Sequence, residues 1–92
     1  MIKRFRHSGL ERLFITGNAS GVSADQVKRL RARLQALDAA EAPQGMNMPG
    51  YRLHPLAGNL EGYWSITVSG NWRLIFRFEG ENATDVDLVD YH

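Results

Sequence analysis

Residues Gly62 to Phe78 run GYWSITVSGNWRLIFRF, and the reading of this stretch decides the fold. Tyr63 to Val68 and Trp72 to Phe78 are rich in aromatic and β-branched side chains, which fit strands, and Ser69-Gly70-Asn71 between them is turn material. The pattern predicts a β-hairpin. Its register follows from the loop: a two-residue Gly70-Asn71 loop sets Val68 opposite Arg73, and a three-residue loop sets Val68 opposite Trp72. The three-residue loop gathers Trp64, Ile66, Val68, Trp72, Leu74, Phe76 and Phe78 on one face and Ser65, Thr67, Arg73, Ile75 and Arg77 on the other. A half-buried antiparallel sheet needs one apolar side and one wet side, so the three-residue loop is expected, with Arg73 on the solvated face.

The rest of the chain is short. Its 92 residues are expected to form one domain, residues 1–92, with a single core and no need of staples. The absence of cysteine excludes disulfides, thiolate chemistry and thiolate metal ligation, and a reducing cytoplasm is the simplest setting. No apolar run approaches the ~20 residues of a membrane span, and MIKRFRH lacks the hydrophobic core of a signal peptide, so no membrane is expected. A net charge of +1 hides an asymmetry. Met1 to Arg33 carries eight Lys or Arg against two acids, and the remainder carries three against eight. A basic surface and an acidic one follow, the first suited to a polyanion; ordinary solvated helix faces are the plain alternative.

Along the chain, Ile2 to Phe5 predicts a first strand or its stub. Ser8-Gly9-Leu10-Glu11 has the S-x-x-E form of a capping box and predicts a short helix that buries Leu10, Leu13 and Phe14 and ends at Gly17. Ser23 to Gln26 repeats the signal as S-x-x-Q and opens a stronger helix with Val27, Leu30, Leu34 and Leu37 on one face. Lys28, Arg29, Arg31 and Arg33 lie off that stripe, where they meet phosphates, an acidic protein or only solvent. Ala42 to Gly50 is loop. Tyr51 to Leu56 predicts a strand cut short by Pro55, which donates nothing to a ladder. Thr84 to Tyr91 predicts the last strand, with Val86 and Leu88 inward and Asp85, Asp87, Val89 and Tyr91 on the side of Arg73. The order β-α-α-β-β-β-β gives an α/β chain of the α+β type, with two helices packed on a small, mainly antiparallel sheet.

Two of the three histidines fall at strand ends, His54 before a proline and His92 at the C-terminus. Histidine serves as acid or base near neutrality, and two of them flanking an arginine meet the needs of metal-free RNA cleavage. One deprotonates a ribose 2′-OH, the other protonates the departing 5′ oxygen, and the cation offsets charge on the phosphate. A satisfied strand-end residue and a frayed tail are the plain alternatives. Metal sites find no support: there is no His-x-x-x-His pair, no H-E-x-x-H and no calcium-loop pattern. Phosphate-loop and nucleophile-elbow motifs are absent too. The two tryptophans are expected in the core.

YRLHPL at Tyr51 to Leu56, Gly58, EGYWSITV at Glu61 to Val68, Asn71-Trp72-Arg73 and the terminal Asp90-Tyr91-His92 together resemble the HigB toxins, the "plasmid maintenance system killer" branch of the RelE/ParE superfamily. The resemblance spans nearly the whole chain. It implies a small microbial RNase fold and a ribosome-dependent endoribonuclease that cuts mRNA in the A site. It implies a HigA-like helix-turn-helix antitoxin, through which the pair would meet operator DNA. By position it makes His54 and His92 the acid/base candidates, Arg73 the phosphate and transition-state stabiliser, and Asp90 and Tyr91 supports or substrate contacts. No cofactor is implied. The basic first third, with Arg29, Arg31 and Arg33, would dock ribosomal RNA.

One departure stands out. A lysine is familiar directly before the glycine of the HPLxG loop, and here that position is Ala57. Its loss would slow catalysis or pass the duty to Arg52 or Arg77. Two rivals remain: a ParE-like gyrase poison that needs no histidine pair, and a degenerate toxin retained only as antitoxin partner and co-repressor.

Overall fold

The computed structural model describes residues 1–91. Helices α1 (Ser8–Thr16) and α2 (Val27–Ala39) precede strands β1 (His54–Pro55), β2 (Trp64–Ser69), β3 (Trp72–Glu79) and β4 (Asn82–Asp90). The strands form one antiparallel sheet in the order β1-β2-β3-β4. Ile2 and Phe5 add isolated parallel bridges to Ala83 and Val86, so the expected first strand exists only as a stub along β4. The α+β architecture expected from the sequence is the one observed.

One face of the sheet is packed by the helices. Leu10 and Leu13 from α1, Leu30, Leu34 and Leu37 from α2, and Ile66, Leu74, Phe76, Val86 and Leu88 from the sheet share one cluster. Burying such side chains contributes about 1.5–3 kcal/mol each relative to exposure. Met46 also joins this core, from a 3-10 turn over Pro43–Met46 that the composition presented as plain loop. The connection between the helices is drawn tight against α1 where Gly9 meets Gly21: a Cβ on Gly9 would stand 2.3 Å from the Gly21 carbonyl oxygen.

Both capping signals resolve differently from expectation. In α1 the cap is His7, whose Nδ1 accepts from the Leu10 N–H at 3.1 Å, and Ser8 is already helical. A ring nitrogen one residue earlier thus satisfies one of the helix's orphan donors, the Leu10 N–H in place of the Glu11 N–H that a Ser8 cap would take. At the second helix Ser23 donates to Asp25, a 3-10 turn covers Ala24–Gln26, and α2 begins at Val27. Gln26 does not fold back as a capping-box partner; it is buried and donates to the Ser69 hydroxyl at 3.0 Å.

The hairpin register also differs in form but not in effect. Ser69 pairs with Trp72, so the loop is the two-residue Gly70-Asn71, with glycine at positive φ in its first position, as a tight hairpin turn favours. A bulge at Val68 then adds one residue to β2, and Thr67 lies opposite Arg73, Ile66 opposite Leu74 and Trp64 opposite Phe76. Those are the pairings that a three-residue loop would have given, so Arg73 keeps its expected face. Trp72 does not: it leaves the core and is 38% exposed beside the turn.

Candidate functional site

The sheet face turned away from the helices carries the candidate residues. His54 pairs with Ser65, Ser65 with Ile75 and Ile75 with Asp87, which makes one row across four strands. The next row toward the hairpin tip is Thr67, Arg73 and Val89. His54 and Arg73 are thus two strands and two residues apart, about 12 Å between Cα atoms at standard strand spacings, and their side chains can reach toward a group held between them. This face is wet only at its ends. Ser65 and Ile75 are each 2% exposed, against the expectation of solvation. The Tyr63 ring reaches far enough across the sheet for its hydroxyl to accept from Arg6 Nη1 at 3.1 Å, in the segment beyond β4. That bond, foremost, holds the Arg6 guanidinium above its ordinary pKa.

Each candidate has a definite local setting. His54 is exposed, and its Nδ1 lies 3.0 Å from the Arg52 carbonyl oxygen. Arg73 Nη1 donates to the carbonyls of Gly70 at 2.8 Å and Trp72 at 3.1 Å, which fold the guanidinium over the turn and, among the described residues, leave Nε and Nη2 for other acceptors. Tyr91 continues the alternation of Val89; its N–H donates to the Asn71 carbonyl at 2.8 Å and its side chain is 54% exposed. Asp90 pairs with Trp72, so by register it starts from the helix-side face and not from the face of Arg73. His92 lies outside the described residues. His54, Arg73 and Tyr91 are therefore brought to one side and one end of the sheet, and Asp90 flanks them.

The supplementary cations divide. Arg77 shares the face of Arg73 but donates to Asp85 at 3.1 Å and lies 5.9 Å from the Tyr63 ring centroid. Arg52 is exposed in β1's approach, with φ of 54°. On α2, Arg33 donates to the Thr67 carbonyl at 2.8 Å and stands 4.4 Å over the Tyr51 ring, and burial, foremost, holds its guanidinium below the ordinary pKa. Arg31 donates to the Gly17 carbonyl at the end of α1. Arg29 is exposed. Ala57 is exposed at the start of the 3-10 turn Gly58–Leu60 that follows β1. Among the described residues no three His, Asp or Glu side chains cluster as a metal site would require.

Two contributors escaped the sequence reading. The Arg52 carbonyl and the Asn71 carbonyl, which hold His54 and the Tyr91 backbone, are main-chain groups with no sequence signature beyond the turn residues around them. Arg6 belongs to the basic stretch that the charge count did reveal, but its reach to Tyr63 depends on the parallel stub.

Comparison with known proteins agrees with this architecture. The chain is similar over all 92 residues, at 50% identity and full coverage of both chains, to a protein named endoribonuclease HigB from Proteus vulgaris. It is 45% identical over 47 residues, half of each chain, to toxin HigB-1 of Vibrio cholerae serotype O1. Among solved structures it resembles the YoeB–YefM complex from Staphylococcus aureus, with a TM-score of 0.60 over 100% of this chain and 98% of that one; at 18% identity this speaks for the fold alone. Residues 3–92 match the family model described as the RelE-like toxin of type II toxin-antitoxin system HigB, and the chain belongs to that family.

Proposed function

We propose that the chain is a cytoplasmic endoribonuclease that cuts mRNA in the A site of the translating ribosome, without a metal. The observation that carries the reading is the placement of His54 and Arg73 on the sheet face turned away from the helices, with the Tyr91 backbone fixed at the same end. The full-length likeness to a protein named an endoribonuclease supports it. In the proposed reaction one of His54 and His92 takes the 2′-OH proton, the 2′ oxygen attacks phosphorus, and the bond to the 5′ oxygen breaks as the other histidine protonates it. A 2′,3′-cyclic phosphate and a 5′-OH result. Arg73 offsets charge on the equatorial oxygens, and Tyr91 and Asp90 support the substrate. As a toxin of a type II system the chain has an antitoxin partner; we take it to be a HigA-like helix-turn-helix protein through which the pair meets operator DNA. The exposed side of α2, Arg29 foremost, docks ribosomal RNA, since Arg31 and Arg33 are already bonded within the chain.

The test is cleavage of ribosome-bound mRNA. His54→Ala and His92→Ala are each expected to slow it about 10²–10⁴-fold, and a wild-type rate in either removes that residue's role. Ala57 favours a second reading, a toxin kept only as antitoxin partner; normal growth on expression without antitoxin would decide for it.

A further inference from the structure

Tyr51 and His54 bracket an irregularity in the edge strand. The Tyr51 carbonyl accepts from the Thr67 N–H at 2.8 Å, and His54 pairs with Ser65. Three residues on one side therefore span two on the other, which makes Arg52-Leu53 a one-residue bulge. Within it Arg52 has φ of 54°, the left-handed conformation that glycine normally fills at such a bulge. Leu53 packs against the core, and Pro55 holds the residue before it in extended backbone, so the segment is anchored on both sides of the irregularity. The consequence is local: the Arg52 carbonyl turns toward its own strand and meets His54 Nδ1 at 3.0 Å.

A carbonyl oxygen only accepts, so the hydrogen in that contact sits on Nδ1. In the neutral ring the lone pair is then on Nε2, in an exposed side chain. We infer that Arg52 is a positioning residue that acts through its main chain: its left-handed backbone aims a carbonyl at Nδ1, fixes the imidazole tautomer and makes Nε2 the atom through which His54 exchanges its proton with RNA. Arg52 thereby has a role apart from its guanidinium, and non-glycine backbone strain is kept at the site where it orients the reacting group. The inference rests on the reading of His54 as a proton-transfer residue.

The experiment separates backbone from side chain. Arg52→Ala removes the guanidinium with a similar tolerance of positive φ, Arg52→Gly relaxes the backbone in place, and the β-branched Arg52→Val strongly disfavours it. Long-range ¹H–¹⁵N correlation spectra, at a pH where the ring is neutral, report the His54 tautomer directly. Wild type, Arg52→Ala and Arg52→Gly should show the Nδ1–H form, while Arg52→Val shows a mixture with Nε2–H and cleaves about tenfold more slowly than Arg52→Ala, which lacks the same guanidinium. Arg52→Thr replaces Arg52→Val if the latter loses cooperative melting. A pure Nδ1–H form in the β-branched variant overturns the inference. So does an Arg52→Ala as slow as Arg52→Val with the tautomer unchanged, which would assign the role to the guanidinium. If His54→Gln cleaves normally, the catalytic reading of His54 fails, yet the spectra still decide what fixes its ring.

Discussion

Arg73 and Arg77 are four residues apart on β3 and face the same side of the sheet, yet they hold their charges differently. Arg77 is committed inside the fold: Asp85 neutralises it at 3.1 Å, Arg4 approaches the same carboxylate at 3.8 Å, and the Tyr63 ring lies beneath the guanidinium. Among the described residues Arg73 meets carbonyls and not a carboxylate. Neutral dipoles orient a guanidinium without cancelling its charge, so Arg73 keeps its full attraction for an anion. Identical side chains on one strand thus differ in what they meet: Arg77 is neutralised within the fold, and Arg73 is oriented by carbonyls that leave its charge in place. The difference comes from the bulge in β4, where Asp85 stands at φ of 52° and turns toward Arg77.

The largest effect that sharpens this contrast is on catalysis. Arg73→Ala should lower cleavage of ribosome-bound mRNA about 10²–10³-fold and leave the melting temperature near wild type, as expected for loss of one transition-state charge contact. Arg77→Ala should do the reverse, with cleavage within a few-fold of wild type. A collapse of cleavage in Arg77→Ala without a change in melting would erase the distinction.

Next come the arginines that tie the fold together. Arg33→Ala removes the bond to the Thr67 carbonyl and the contact over Tyr51, and should destabilise the chain by about 1–2 kcal/mol in urea unfolding. Arg29→Ala should change stability by less than about 0.5 kcal/mol. Equal losses would show that the Arg33 contacts contribute nothing. Asp85→Asn keeps a residue tolerant of positive φ and removes the carboxylate, and about 1 kcal/mol of stability should go with it, since both partner arginines are partly solvated. The smallest effect has the opposite sign. Thr84 pairs with Arg77 and its buried hydroxyl has no hydrogen-bond partner among the described residues, so Thr84→Val should stabilise by up to about 1 kcal/mol.

The fold was largely legible because its signals are local and periodic. The apolar stripe of α2 lands in the core as spaced, and the alternation of β2 and β3 places Ile66, Leu74 and Phe76 inward. The capping boxes misled because Ser8 and Ser23 each have a competitor: the His7 ring for one, the neighbouring Asp25 for the other. Trp72 was expected inside because its parity is apolar, but Ser69 takes the pairing next to the turn, and a strand end at a hairpin tip has no layer above it to bury an indole. In the candidate site, His54 and Arg73 were visible as residue types at strand positions. Arg33 and Arg77 were visible only as charges, and charge alone does not say which carbonyl, ring or carboxylate a guanidinium will find.

The sequence by itself determined the elements, the faces of the hairpin and the residues able to move a proton or hold a phosphate, because period, propensity and side-chain chemistry belong to short stretches of chain. Tertiary structure alone decided the three bulges, near Arg52, Val68 and Asp85, and with them which cations are spent on the fold and which nitrogen of His54 faces outward. A bulge is the adjustment that lets a strand satisfy its partners on both edges at once, so its place depends on residues distant in sequence, and no local pattern records it.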